Sequence, residues 1–244
     1  MTRGVSAGIV ESIRSGAVAM TTAMLCLDDA AANISEFASR IPGRIGLHLQ
    51  LTDGIPLCDP QSIPTLVNGD GRFPRKPQQM KPLDPRDVER EWTAQLDALR
   101  ALAIEPVYLN SHHHSHRDPI ALHVYCKLAK SLGVPARGAA SLFPQVTPVL
   151  RKRGVRCADV FVGHWSDAEP TLDRFIACVQ DFDGECPDGG TMEVMCHPAI
   201  ADDALRARSN WADQREQELR VLCSDELPQR LRDIGYEIVD DFLS

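Results

Sequence analysis

The stretch L-N-S-H-H-H-S-H-R-D-P, residues 109–119, decides how this chain is read. It gathers His112, His113, His114 and His116 within five positions, half of the eight histidines in the sequence. The apolar run P-V-Y-L at 106–109 leads into it as a buried strand. Asp118-Pro119 follows as a helix start, with Asp as N-cap and Pro at the first helical position. Neutral imidazole is the commonest protein ligand for transition metals. A histidine cluster between a strand and a helix therefore predicts a metal site at the strand's carboxyl end. The competing reading is a solvated polar loop or a tag-like tract, but a tag would be terminal, and this cluster is internal.

Outward from the cluster, strand-like and helix-like segments alternate over nearly the whole chain. Val5, Ile9 and Ile13 at helical spacing predict a helix over 4–15 with Gly16 as its cap. A β-leaning run covers 17–25, a helix 30–40, and R-I-G-L-H-L-Q-L a strand over 44–51. The Pro-, Gly- and Asp-rich region 53–83 reads as a long excursion rather than a core element. Asp84-Pro85 starts a strong helix to about residue 103, with Val88, Trp92, Leu96 and Leu99 as its buried stripe. The helix opened by Asp118-Pro119 ends at Gly133. Further strands are predicted near 134–138, 156–163, 191–196 and 236–239, and helices near 170–182, 211–223 and 225–234. Strands alternating with helices imply parallel pairing, hence one α/β domain over 1–244.

Composition removes several function classes. The 244 residues are 43% hydrophobic and 25% charged, ordinary for a globular chain. A net charge of -8 argues against a nucleic-acid partner, which would need a basic face. No apolar run reaches the roughly 20 residues that span a bilayer, and M-T-R-G-V-S has no continuous apolar segment of a signal peptide. The eight cysteines are scattered without a C-x-x-C pair, which fits reduced core thiols in a cytoplasmic protein.

In parallel α/β folds the active site lies beyond the carboxyl ends of the strands. Three separate predicted strands bring histidines there: His48 in G-L-H-L-Q-L-T, the 112–116 cluster, and His197 after M-E-V-M-C. Arg137, in V-P-A-R-G, is a candidate to bind substrate or orient carboxylates, with a surface arginine as the alternative. Glu193, on the strand that ends at His197, is a candidate to orient the site from behind, with a solvated alternate face of the strand as the other reading. Trp165 is a candidate sugar-stacking face, and Trp92 is helix core. Arg215 and Glu218, at i and i+3, read as a surface pair. His123 and His164 read as structural.

Five segments, in order, resemble the YdjC-like carbohydrate deacetylase family, which includes chitooligosaccharide deacetylases. They are G-V-S-A-G-I-V-E-S-I-R-S-G-A-V, G-L-H-L-Q-L-T-D-G-I-P-L, N-S-H-H-H-S-H, M-E-V-M-C-H-P and R-E-Q-E-L. The resemblance implies a distorted TIM-like (β/α) barrel that removes an N-acetyl group from an amino sugar with one divalent metal, magnesium or zinc, and it suggests a homodimer. It implies that an aspartate and two histidines hold the metal. Those histidines match His48 and His112, with His114 as the fallback, and His197 matches the general acid.

The chain departs from that pattern in three places. Relatives carry N-A-D-D-F-G on a first strand, directly before the stretch that begins here at M-T-R-G-V-S. The two aspartates there supply a metal ligand and the base, and Asp28 and Asp29 do not replace them by position. A gap is therefore expected beside the strand carrying His48, with either a start further upstream or a degenerate, less active form. Asn110 stands where an aspartate is usual, keeping hydrogen-bonding shape without the charge, and Ala199 stands where a glycine is usual. The alternatives to deacetylation are a metal-dependent hydrolase of another small substrate and an inactive sugar- or metal-binding protein.

Overall fold

The computed structural model describes residues 2–239. In chain order the elements are α1 (Arg3–Arg14), β1 (Thr21–Ala23), α2 (Ala30–Ala38), β2 (Ile45–Leu49), α3 (Pro85–Arg100), β3 (Leu109–Ser111) and α4 (Pro119–Leu132). There follow α5 (Val146–Lys152), β4 (Val160–Val162), α6 (Leu172–Asp181), β5 (Met192–Val194), α7 (Asp203–Arg208), α8 (Ala212–Leu222) and α9 (Leu227–Asp233). The helix starts follow the local chemistry. Asp84 accepts the Arg86 N–H at 2.7 Å, and Asp118 accepts those of Ile120 and Ala121 at 2.9 and 3.1 Å. Each satisfies amide donors that a first helical turn leaves without partners.

Every strand pair is parallel. β1, β2 and β3 form one sheet with β2 central, and β4 and β5 form a second. The segment 135–137 stitches the two together. Its Arg137 N–H donates to the Leu109 carbonyl, Leu109 N–H donates to Pro135, and Ala136 N–H donates to Arg156. The molecule is thus a mixed α/β fold with parallel sheets, and among the described residues no pairing closes β5 onto β1 into a barrel. The gap expected beside the strand carrying His48 is not there: β2 is paired on both sides.

The main core lies between the first sheet and its helices. Val88, Trp92, Leu96 and Leu99 of α3 pack there as the periodicity predicts, against Leu47, Leu49 and Tyr125. The region 53–83 is more than an excursion, because Ile63, Leu66, Val67 and Phe73 are buried in that same core. A second core holds Val162, Trp165, Phe175 and Leu222 beside the second sheet. The predicted strand at 134–138 reduces to a single bridge at Ala136, and 236–239 forms none.

Candidate metal centre and proton-transfer site

β2 and β3 pair in register so that His48 stands opposite Asn110. Side chains of directly opposed residues share one face of a sheet, and these two meet. His48 Nδ1 lies 2.6 Å from Asn110 Oδ1, with Thr22 Oγ1 at 3.3 Å. The amide oxygen accepts the Nδ1–H, which leaves the Nε2 lone pair free. Asn110 therefore holds the His48 ring through a neutral amide.

Directly past β3 the chain turns tightly through His112–Arg117. His113 and His114 both adopt left-handed backbone conformations, with φ of 51° each. Two successive β-substituted residues in this region store strain of roughly 1–2 kcal/mol apiece. The His112 and His113 rings lie nearly face to face, centroids 3.8 Å apart, while the kink turns His114 away from them. His112 Nδ1 faces His48 Nε2 at 3.3 Å. His113 Nδ1 meets Thr52 Oγ1 at 3.0 Å. His114 is enclosed by the rings of Phe143, Phe161 and His116. His116 is fully buried, stacks on Tyr125 and holds Ser111 Oγ at 2.6 Å. His112, rather than the fallback His114, is the partner of His48.

Both imidazoles of the pair are driven towards the uncharged form. Burial, then the neighbouring His112, drives the His48 pKa well down. Burial, then His113, lowers that of His112 to about 3. Both rings are neutral at physiological pH, the state in which imidazole binds metals. Two zinc–nitrogen bonds of about 2.0–2.1 Å at a tetrahedral angle span about 3.3–3.4 Å between the nitrogens, and the observed separation matches. Among the described residues no group of three His, Cys, Asp or Glu side chains is placed to hold a metal. The pair thus offers two ligands of a set.

Behind the histidines lies a buried ionic network. Arg137, 7% exposed, donates to Glu193 at 2.7 Å, and Tyr108 donates its hydroxyl hydrogen to the other Glu193 oxygen at 2.8 Å. The Arg137 guanidinium also lies over the Phe161 ring. Burial opposes its charge, but Glu193 more than offsets this and holds the pKa above the ordinary value. Both residues predicted here are brought together, and they bind each other.

His197 follows β5 and is exposed. Partial desolvation, then the cationic Arg215 and Arg137, lowers its pKa to about 4. It rests as a neutral imidazole, not the cation expected of a standing general acid. Trp165 is fully buried, and its indole N–H donates to the Met195 carbonyl at 2.9 Å, so it is no sugar-stacking face. Glu218, expected on the surface, is 2% exposed and accepts the His197 backbone N–H. His123 is exposed on α4, and His164 packs edge-on against Phe182.

The fold is thus a parallel α/β class in which β2 and the turn after β3 bring two neutral histidines together, with a third after β5 in the second sheet. The family model described as YdjC-like protein matches residues 1–233, and the chain belongs to that family. It is 33% identical over 238 residues to a carbohydrate deacetylase of Geobacillus stearothermophilus, covering 97% of this chain and 91% of that one. It is 34% identical over 247 residues to a carbohydrate deacetylase of Vibrio vulnificus strain CMCP6, covering 98% and 90%. Its fold is close to the crystal structure of an Enterococcus faecalis V583 protein described as a cellobiose-phosphate cleavage protein. That match has a TM-score of 0.82 and 25% identity, and covers 98% of this chain and 92% of that one.

Proposed function

We propose that this protein is a metal-dependent carbohydrate N-deacetylase that hydrolyses the acetamide of an amino sugar to acetate and the free amine. The observation that carries the reading is the neutral His48–His112 pair, nitrogen to nitrogen at 3.3 Å, at the strand ends where His197 also stands. The relatives named as carbohydrate deacetylases support it. The parallel succession from β1 through 135–137 to β5 supports an opened form of the family's distorted TIM-like barrel.

His48 Nε2 and His112 Nδ1 would hold a divalent cation, and imidazole donors favour zinc over magnesium. A cation held there would supply Lewis acidity to the acetyl carbonyl and to water. Asn110 keeps His48 in the Nδ1–H tautomer throughout. Neutral His197 accepts a proton from the attacking water as the new carbon–oxygen bond forms. It then returns that proton to the sugar nitrogen as the carbon–nitrogen bond breaks. One imidazole thus serves first as base and then as acid, which a pKa below neutrality allows in the resting state. The remaining acidic proton is lost to solvent when acetic acid ionises. Arg137 and Glu193 neutralise each other and hold the strand ends in place.

The test is release of acetate and free amine in equal amounts from N-acetylglucosamine oligomers with zinc or magnesium added. His48→Ala and His112→Ala are expected to abolish activity together with metal retention, whereas His197→Ala lowers kcat by about 10²–10⁴-fold and retains the metal. No acetate release with any divalent metal overturns the proposal.

A further inference from the structure

The segment His197-Pro198-Ala199-Ile200 has no regular secondary structure, yet every N–H it owns is bonded. His197 N–H donates to Glu218 Oε2 at 2.6 Å. Pro198 has none to give. Ala199 N–H donates to the Arg215 carbonyl at 3.1 Å, and Ile200 N–H to the Gly4 carbonyl at 3.0 Å. The segment is therefore fastened to α8 on one side and to α1 on the other. Two of the three partners are helix backbone carbonyls, and the third is a side chain.

That side chain is an expensive one to place there. Removing a carboxylate from water costs several kcal/mol unless it is paired or hydrogen-bonded. Burial raises the Glu218 pKa, while the His197 N–H, a hydrogen bond with Ser166 and the nearby Arg215 pull it back. An uncharged acceptor would satisfy one backbone N–H at less cost. A charged acceptor gives a shorter and stronger bond, and it falls on the residue whose ring must meet the reacting nitrogen. α8 thereby holds the backbone of His197, and neither ring nitrogen is hydrogen-bonded among the described residues.

We infer that Glu218 is a positioning residue for His197, fixing through the His197 backbone where its imidazole stands. This rests on the reading of His197 as the proton carrier. Glu218 touches no reacting atom and acts only through that ring. Its location in R-E-Q-E-L at 215–219 also accounts for Arg215, whose carbonyl holds Ala199 one turn earlier on the same helix.

Two conservative variants separate reach from charge. Glu218→Gln keeps the reach and an oxygen acceptor. Glu218→Asp keeps the charge but withdraws the carboxylate by one methylene, about 1.5 Å. Misplacing a catalytic group by about 1 Å can cost 10²-fold, so E218D is expected to lose about 10- to 100-fold in kcat with KM unchanged. E218Q, which keeps the reach and an oxygen acceptor but makes a weaker, neutral bond, is expected to lose less than E218D. In the His197→Ala background, E218D should add no further loss, because both changes act through one imidazole. Equal additional loss in that background, or wild-type kcat in E218D, overturns the inference.

A readout independent of turnover keeps it separable from the proposed activity. In ¹⁵N-resolved spectra the His197 ring is expected to give one set of signals in the wild type and E218Q. In E218D the set should be doubled or exchange-broadened. A single sharp set in folded E218D overturns the inference even if no substrate is turned over. A His197→Ala variant with undiminished kcat would instead overturn the assigned role of His197.

Discussion

Gly8→Ala probes how tightly α1 fixes the segment after His197. A Cβ at Gly8 would lie 2.6 Å from Ala199 Cα and 2.8 Å from both Ala199 C and Ile200 N. All three are backbone atoms, so no side chain can swing aside. Carbon atoms settle at about 3.5–4.0 Å, so the helix and the segment must part by about 1 Å. Overpacking of this kind costs about 1–3 kcal/mol, and the better helix propensity of alanine returns about 1 kcal/mol. The net stability loss of about 0–2 kcal/mol lowers Tm by a few degrees in a chain of this size. The rate effect is larger, since a displacement of about 1 Å at a catalytic group can cost 10²-fold. Thermal melting and acetate-release kinetics on the zinc-loaded protein read both quantities. Gly184→Ala is the control, because a Cβ there meets nothing within 4 Å. A G8A variant whose kcat stays within about twofold of the wild type would refute the claim that this contact holds the His197 segment in place.

Two further outcomes follow from the buried charges. Arg137→Met leaves Glu193 without its ionic partner, and breaking a buried pair costs about 3–5 kcal/mol. Tm should fall by about 10 °C, with a smaller fall when Glu193→Gln is added; a stable single variant contradicts the buried network. Acid should also destabilise the fold below neutrality. His112, His114 and His197 have folded pKa values of about 3, 4 and 4, and His48 and His116 are pushed down as well, burial being the first cause in each. The unfolded chain therefore binds protons first as pH falls. Stability is full above about 6.5 and declines below it, levelling only beneath the folded values. A metal-free melting temperature that does not drop between pH 7.5 and 5 contradicts neutral, buried imidazoles.

Much of this architecture was legible because local chemistry and periodicity agreed. Asp84-Pro85 and Asp118-Pro119 mark helix starts that are capped as expected, and the α3 stripe from Val88 to Leu99 faces the core. The convergence of His48 with His112 followed from strand ends in a parallel sheet. What was hidden depended on which way a residue faces in three dimensions. Trp165 follows a strand end, and nothing in its neighbours says that the ring turns inward to cap Met195. Glu218 shares its polar helix with exposed charges, and only the approach of the His197 segment buries it. The one usable signal was the place of R-E-Q-E-L among the five family-like segments. The helices α5 and α7, seven and six residues long, carry too few turns for periodicity to register. Ile63, Leu66, Val67 and Phe73 reach the core from a Pro- and Gly-rich stretch whose composition suggested only a loop.

Anomalous diffraction from zinc-loaded crystals soaked with an N-acetylglucosamine oligomer tests the two-histidine centre most directly. The expected result is one zinc peak per chain, about 2.0–2.1 Å from both His48 Nε2 and His112 Nδ1, with the acetamide of the sugar beside it and His197 facing the sugar nitrogen. A zinc peak elsewhere, or a sugar bound away from these histidines, would contradict the assignment.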